Sequence, residues 1–283
     1  MQPWFNPKDP EIIAKENPFP KLHLKVISRL GDEQQGFTGQ VFKVQDANGT
    51  FYKLRMCRNV EEAKLYEHHA RIAPGMMPRF YGRDGRYLLV EFFEGRPLKK
   101  SNLDDCYAMG RLYAEIHQLH KEGDPETQHE KFRHDLKELL NKNILTAAEY
   151  AQAAELYEEL SKSITHHIAL EAFDLNASNF MRSHDRVVFV DEEGMHITFK
   201  GAGMVKIFEK LEPDQLAAFQ KGYASVASMK FFSTEYELFT VLFMSVLFIN
   251  DWASKGVPRK SWETRYLIPL RVLLKTKKNP FRK

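Results

Sequence analysis

Between residues 22 and 90 apolar and polar side chains alternate in short runs, the period of a half-buried strand. LHLKVISRL alternates and ends at Gly31, and QVFKVQ alternates again. Asn48-Gly49 then marks a hairpin turn, with FYKLRM as the return strand. VEEAKLYEHHARI, residues 60–72, has helical spacing instead and is stopped by Ala73-Pro74-Gly75. MPRFYG and RYLLVEFF read as two more strands about a turn at Asp84-Gly85. The pattern predicts a small antiparallel sheet with one inserted helix.

After Glu94-Gly95-Arg96-Pro97 the period changes. Residues 102–120 and 130–168 carry apolar side chains at spacings of three and four, as in Leu112, Ile116, Leu119 and Leu136, Leu139, Leu140, and read as long helices. Residues 168–194 break that period and include a short strand, RVVFVD, before helices return from about 203. Residues 1–20 hold five prolines, each fixing φ and removing a donor, so an extended arm is predicted there. The expected organisation is an arm (1–20), a β-rich lobe (21–93) and, past a short hinge, a larger α-rich lobe (94–283). The fold class is α+β, and two such lobes place a ligand in the cleft between them.

Composition narrows the class. The 283 residues are 43% hydrophobic and 28% charged, enough apolar surface for a sizeable core and too ordered a mix for a disordered chain. The formal net charge of +3 gives no global electrostatic case for nucleic acid. Cys57 and Cys106 are too few for a disulfide scaffold or a four-thiolate zinc site, and suit a reducing compartment. The first twenty residues lack the apolar core of a secretory signal, and the apolar stretch 239–249 is too short to span a bilayer. A soluble cytoplasmic protein is expected.

Residues 172–194 carry the candidate chemistry. Asp174 and Asn179 lie five apart in a loop, and Asp191 stands twelve residues on, at the end of the VVFV strand. Phosphoryl transfer needs one carboxylate to accept or orient the proton of the attacking hydroxyl. It also needs a second carboxylate and an amide oxygen to hold magnesium, a cation that prefers hard oxygen donors. Asp-x-x-x-x-Asn, a strand and then Asp supply these groups in kinase order. Upstream, Gly36, Gly39 and Val41 match the end of a G-x-G-x-x-G-x-V phosphate loop, with Gln34 in the first glycine's place. Lys53 falls mid-strand where a phosphate-pairing lysine belongs. Phe51, Lys53 and Arg55 share one strand face, so Arg55 is the alternative, and the need for an apolar residue against adenine two positions earlier favours Lys53. Glu62 is the preferred carboxylate to hold the lysine extended, with Glu61 and Glu67 as alternatives. In YLLVEFFEGRPL, Val90 would sit behind the adenine. The backbone of Glu91 and Phe93 would hydrogen-bond it, and Gly95 would permit the turn into the next lobe.

Taken in order, these segments, with GRLYAEIHQLH, FDLNASNF and VVFVDEEG, resemble the protein-kinase-like superfamily over about residues 25–195. The likeness is to its small-molecule branch, the aminoglycoside phosphotransferase and choline kinase group. DLNASN is similar to the loop of lipopolysaccharide core kinases that phosphorylate Kdo or heptose sugars. The resemblance implies a bilobal kinase fold that uses ATP and Mg2+. It implies Asp174 as catalytic base, Asn179 and Asp191 as metal ligands, and Lys53 on the α/β-phosphates. It also implies a sugar or small-molecule hydroxyl, or a glycolipid, as acceptor. Ala172 replaces the histidine usual two residues before the catalytic aspartate, and Glu192-Glu193 follow Asp191 in place of Phe-Gly. With Gln34, these departures keep a nucleotide- or partner-binding pseudokinase as the alternative. A protein kinase ranks lower, since no long segment closing in Ala-Pro-Glu follows Asp191.

Two further features read as structural. His117-x-x-His120 on a helix has no cysteine or acidic partner nearby in sequence and reads as helix-face histidines. The basic C-terminal tail, from Arg271 to Lys283, reads as a helix with a solvated end, the alternative being a weak contact with an anionic membrane face or an anionic substrate.

Overall fold

The computed structural model describes residues 9–30, 40–119, 123–184, 186–191, 194–230 and 232–282. The chain divides into two compact units, one of residues 1–97 with 178–193, the other of 98–177 with 194–283.

In the first unit α1 (Asp9–Glu16) precedes β1 (Lys25–Arg29), β2 (Gln40–Gln45) and β3 (Phe51–Met56). Then come α2 (Val60–Ile72), β4 (Phe80–Asp84) and β5 (Tyr87–Glu91). The five strands form one antiparallel sheet in the order β1-β2-β3-β5-β4. Asn59 caps α2, its side chain accepting from Glu62 N at 2.8 Å. The alternation seen in sequence is realised as packing. Phe42, Val44, Tyr52 and Leu54 are buried in one cluster with Tyr87 and Leu89.

The N-terminal segment differs from the extended arm expected of it. Residues 9–16 are helical, because Pro10 stands in the first turn, where no intrahelical donor is lost. Ile13 from this helix joins the sheet's core cluster, and Glu16 accepts from Tyr87 Oη at 2.7 Å. Trp4 and Phe5 lie outside the described residues.

The expected boundary at 93/94 moves as well. β6 (Arg96–Pro97) pairs with β8 (Phe180–Ser183), which forms a hairpin with β9 (Arg186–Phe189). Phe189 N donates to Met76 O at 2.8 Å, and Arg186 binds the Glu91 carboxylate at 3.1 Å. The hairpin therefore belongs with the sheet although it follows three helices of the other unit. Gly95 is required at the crossing, since a Cβ there would strike the Arg182 carbonyl.

The second unit contains α3 (Leu103–Leu119), α4 (Pro125–Asn141), α5 (Ala147–Ser163) and β7 (Ile168–Ala172). β10 (Met195–Phe199), α6 (Met204–Lys210), α7 (Pro213–Ala224) and α8 (Thr234–Ser254) follow. The chain ends with α9 (Arg259–Trp262), a π-turn (Glu263–Leu267) and α10 (Ile268–Thr276). The expected helix over 130–168 is two helices. Asn143 takes a left-handed φ of 54°, and Thr146 with Glu149 forms a capping box that starts α5. β7 and β10 pair antiparallel from Ile168↔Phe199 to Ala172↔Met195. α3 and α7 cross at close range on Gly110 and Gly222, whose Cβ atoms would meet the Phe219 and Tyr107 carbonyls. α8 has 21 residues, long and apolar enough to cross a membrane by length and composition, and its central residues Phe239 to Val246 are buried. Phe239 and Phe243 on it pack with Tyr157, Phe132 and Phe199.

Candidate active site

β3 places Lys53 directly across from Val90 on β5 and from Lys43 on β2. Its ammonium donates to the Val190 carbonyl at 2.9 Å. Val190 N in turn donates to Asn179 O at 2.8 Å, and Asn179 Nδ2 lies 3.4 Å from Asp191 Oδ2. The first unit thus brings the Lys53 ammonium to the backbone of Val190, beside Asn179 and Asp191. Arg55 is buried, its guanidinium 5.4 Å from the Tyr66 ring centroid on α2. Lys53, with partial exposure, is the residue of the pair open to a ligand.

Each candidate glutamate on α2 has cationic partners of its own. Glu62 accepts from Arg58 N and Nη2 at 2.6 Å, from Arg58 Nε at 2.9 Å and from Tyr66 Oη at 3.0 Å. Burial alone would raise its pKa, but these hydrogen bonds outweigh burial and hold it below the ordinary range. Glu61 pairs with Lys64 at 2.8 Å, and Glu67 with Arg71 and Arg83. The partners that the structure gives Glu62 are Arg58 and Tyr66, and its carboxylate shapes the start of α2.

At the expected adenine edge, Val90 is buried. The Glu91 N–H is spent on Arg79 O at 2.8 Å, so the group Glu91 can offer a base is its carbonyl. Phe93 lies under the Arg186 guanidinium at 5.2 Å. Phe51 is 37% exposed, and Lys43 Nζ stands 4.0 Å above its ring and 4.2 Å from that of Phe92. Val41 is the second residue of β2, and its carbonyl accepts from Leu30 N at 2.8 Å. Gln34, Gly36 and Gly39 lie outside the described residues.

Asp174 belongs to the second unit. Asn176 Nδ2 donates to both of its carboxylate oxygens, at 2.8 and 3.0 Å, and Asn176 N donates to its carbonyl at 2.7 Å. Lys210 from α6 reaches Asp174 Oδ1 at 3.2 Å and also donates to Asn176 Oδ1. The Asp174 side chain keeps 46% exposure, so it remains open to a ligand.

Behind this loop lies a residue that the sequence pattern did not single out. Glu171, wholly buried on β7, accepts from Tyr113 Oη at 2.5 Å, Gly201 N at 2.6 Å and Gly203 N at 2.9 Å. His117 Nε2 is 2.5 Å away, and His117 Nδ1 meets Tyr223 Oη at 2.8 Å. His117 is therefore a core residue, in place of the helix-face histidine expected. His120 lies outside the described residues.

The tail is docked along much of its length. Arg271 pairs with Glu149 at 2.7 Å, Lys277 with Glu159 at 2.8 Å and Arg282 with Glu237 at 2.5 Å. Both cysteines are buried, and burial pushes the Cys106 thiol up to about 11.

No family model matches the chain, and no curated protein is similar to it in sequence. Solved structures are. Choline kinase LicA from Streptococcus pneumoniae superposes with a TM-score of 0.67 at 16% identity, over 94% of this chain and 99% of that one. Macrolide 2'-phosphotransferase MphH from Brachybacterium faecium superposes with a TM-score of 0.66 at 12% identity, over 92% and 97%. The fold is that of the protein-kinase-like small-molecule kinases. Spectinomycin phosphotransferase APH(9)-Ia, bound to ADP and spectinomycin, shares it with a TM-score of 0.58 at 12% identity, over 95% of each chain. In this kinase fold, the β3 lysine, the loop with Asp174 and the hairpin ending at Asp191 occur in the chain order anticipated from sequence.

Proposed function

We propose that the chain is an ATP- and magnesium-dependent phosphotransferase that moves a γ-phosphoryl group to a hydroxyl of a small molecule, sugar or glycolipid. The observation that carries this reading is the gathering of Lys53, Asn179 and Asp191 about Val190 within a kinase fold. An ammonium, an amide oxygen and a carboxylate are the protein groups that a magnesium-nucleotide complex requires. Their hard oxygen donors fit that cation, and Asn179 and Asp191 would hold it. Magnesium, when bound, offsets the charge that develops on the phosphates. Lys53 binds the α/β-phosphates. Asp174, its carboxylate oriented by Asn176, takes the proton from the acceptor hydroxyl. Catalysis is then mostly positioning and electrostatics.

Nucleotide use is supported by the ADP and AMP named in the spectinomycin phosphotransferase and LicA structures. Macrolide, choline and spectinomycin are all small molecules, which supports an acceptor of that size. Two buried free thiols suit the reducing cytoplasm proposed for it. The deciding experiment is a thermal shift with ATP, with and without magnesium, on wild type and Asp191→Ala. A ligand at 100 times its Kd stabilises by about 2.7 kcal/mol. A magnesium-dependent shift that Asp191→Ala abolishes is expected, and a wild type indifferent to nucleotide would end this reading.

A further inference from the structure

We infer that the acceptor carries an anionic group, a carboxylate or phosphate, that docks on Lys210 and Arg265 beside Asp174. The inference rests on the phosphotransferase reading only in calling the bound molecule an acceptor.

Three cations from two elements converge near Asp174. Lys206 and Lys210 stand one turn apart on α6, and Arg265 comes from the π-turn. Lys210 Nζ is 3.2 Å from Asp174 Oδ1, and Arg265 is within electrostatic reach of the same carboxylate. The carboxylates facing them among the described residues are Asp174 and Glu209. Glu209 pairs with Arg265 at 3.1 Å and Lys206 at 3.3 Å. The cluster is left with a positive surplus.

The adjoining aromatic rings point the same way. Phe248, Tyr266 and Trp252 pack together, with centroids at 4.9 and 5.3 Å. Such ring faces are where quaternary ammonium ligands are held. Here the protein's own cations occupy them. Lys206 Nζ lies 5.0 Å from the Phe248 centroid and 4.7 Å from that of Tyr266, to whose hydroxyl it also donates. Arg265 lies 5.9 Å from Trp252 and 5.8 Å from Tyr266. An acceptor resembling choline finds its ring faces filled and meets like charge. Burial already lowers the Lys206 ammonium to about 8, and a further cation beside it would add to that cost.

The chemistry of Asp174 favours an anion for a second reason. Lys210 occupies Asp174 Oδ1, one of the two oxygens that could take the acceptor's proton. An anionic group on the incoming molecule gives Lys210 a replacement partner, so binding and release of that oxygen become one event. An open depression of about 740 Å³, lined by Glu209, Lys260, Ser261, Thr264 and Arg265, shares Glu209 and Arg265 with the cluster and has the volume for a sugar-sized molecule.

The test is a thermal-shift titration of the full chain with galacturonate, galactose, galactosamine and choline at matched ionic strength. Lys210→Gln and Arg265→Gln, each at a partly exposed position, are made separately, and their melting transitions show whether they fold. Galacturonate is expected to raise the wild-type melting temperature more than the other three, and the excess to disappear in at least one variant. A choline or galactosamine shift as large as that of galacturonate, no excess for galacturonate, or an excess that survives both substitutions would overturn the inference. ATP with magnesium is run alongside. A nucleotide shift without an anion preference removes this inference and leaves the phosphotransferase reading standing. An anion preference without a nucleotide shift does the reverse.

Discussion

The Glu171 carboxylate sits 2.5 Å from Nε2 of His117, and neither side chain has any exposure. This pair, with Tyr113 and the Gly201 and Gly203 amides, fixes the backbone three residues before Asp174. Ala172 stands where a loop-anchoring histidine was expected, and the buried network supplies an anchor from the opposite side of the strand. Glu171→Ala leaves the Tyr113 hydroxyl and two backbone donors unpaired in the core. It is expected to cost about 3–5 kcal/mol, as measured by urea unfolding. A loss below about 1 kcal/mol would show that the network is not needed for stability.

Asp174 is exposed enough to be replaced without disturbing the core. Asp174→Ala is expected to lower kcat at least about 100-fold while the melting temperature and the ATP-magnesium shift stay near those of wild type. Turnover that survives intact would remove Asp174 from the role of base.

Lys206 gives a pH signature. Unfolded, it keeps its proton to about 10.5. Folded, burial lowers that to about 8. Its protonated form therefore opposes folding below pH 8, and the penalty fades as pH rises from about 8 toward 10.5. Relative to Lys206→Met, which carries no such penalty, wild type should gain on the order of 3 kcal/mol between pH 7 and pH 10. A stability difference that does not change over that range would contradict the assignment.

The α3–α7 crossing is predicted to be intolerant of any added bulk. At Gly222 a Cβ meets the Tyr107 carbonyl of the facing helix. Gly222→Val should cost at least about 1–3 kcal/mol in chemical denaturation, because neither backbone can move without the other. A variant as stable as wild type would mean that the helices can separate without loss.

Much of this architecture was legible from periodicity. The sheet strands and α2 follow the alternation and its interruption, and Asn179 and Asp191 come together because they flank one hairpin, β8–β9. What escaped has local causes. Ile-Ala-Leu-Glu-Ala reads in sequence only as a break in the helical period, yet it is the strand β7 with all five residues buried, and the partner that explains Glu171 is a histidine 54 positions earlier on α3. A glutamate flanked by apolar residues, with an unassigned histidine in the neighbouring helix, was the available signal. Asn176 and Lys210 escaped because their role depends on α6 returning to the loop, a tertiary contact with no trace in spacing. The preference for Glu62 rests on the E-x-x-L-Y pattern it begins, with its apolar partners on another helix face. In the structure Arg58, four residues earlier, takes that carboxylate at 2.6 Å.

The β8–β9 hairpin is bonded to β6 and to the carbonyls of Met76 and Met77, while the sequence on both sides of it belongs to the other unit. The polypeptide therefore passes between units three times, and no single cut separates them. A fragment beginning at Leu98 would carry the hairpin with its partner strand missing, and one ending at Pro97 would leave β6 and the edge of Met76 unsatisfied. The two units can be expressed, inserted into another gene or exchanged between proteins only together, which makes the interleaved hairpin a lock on the inheritance of the chain as one piece.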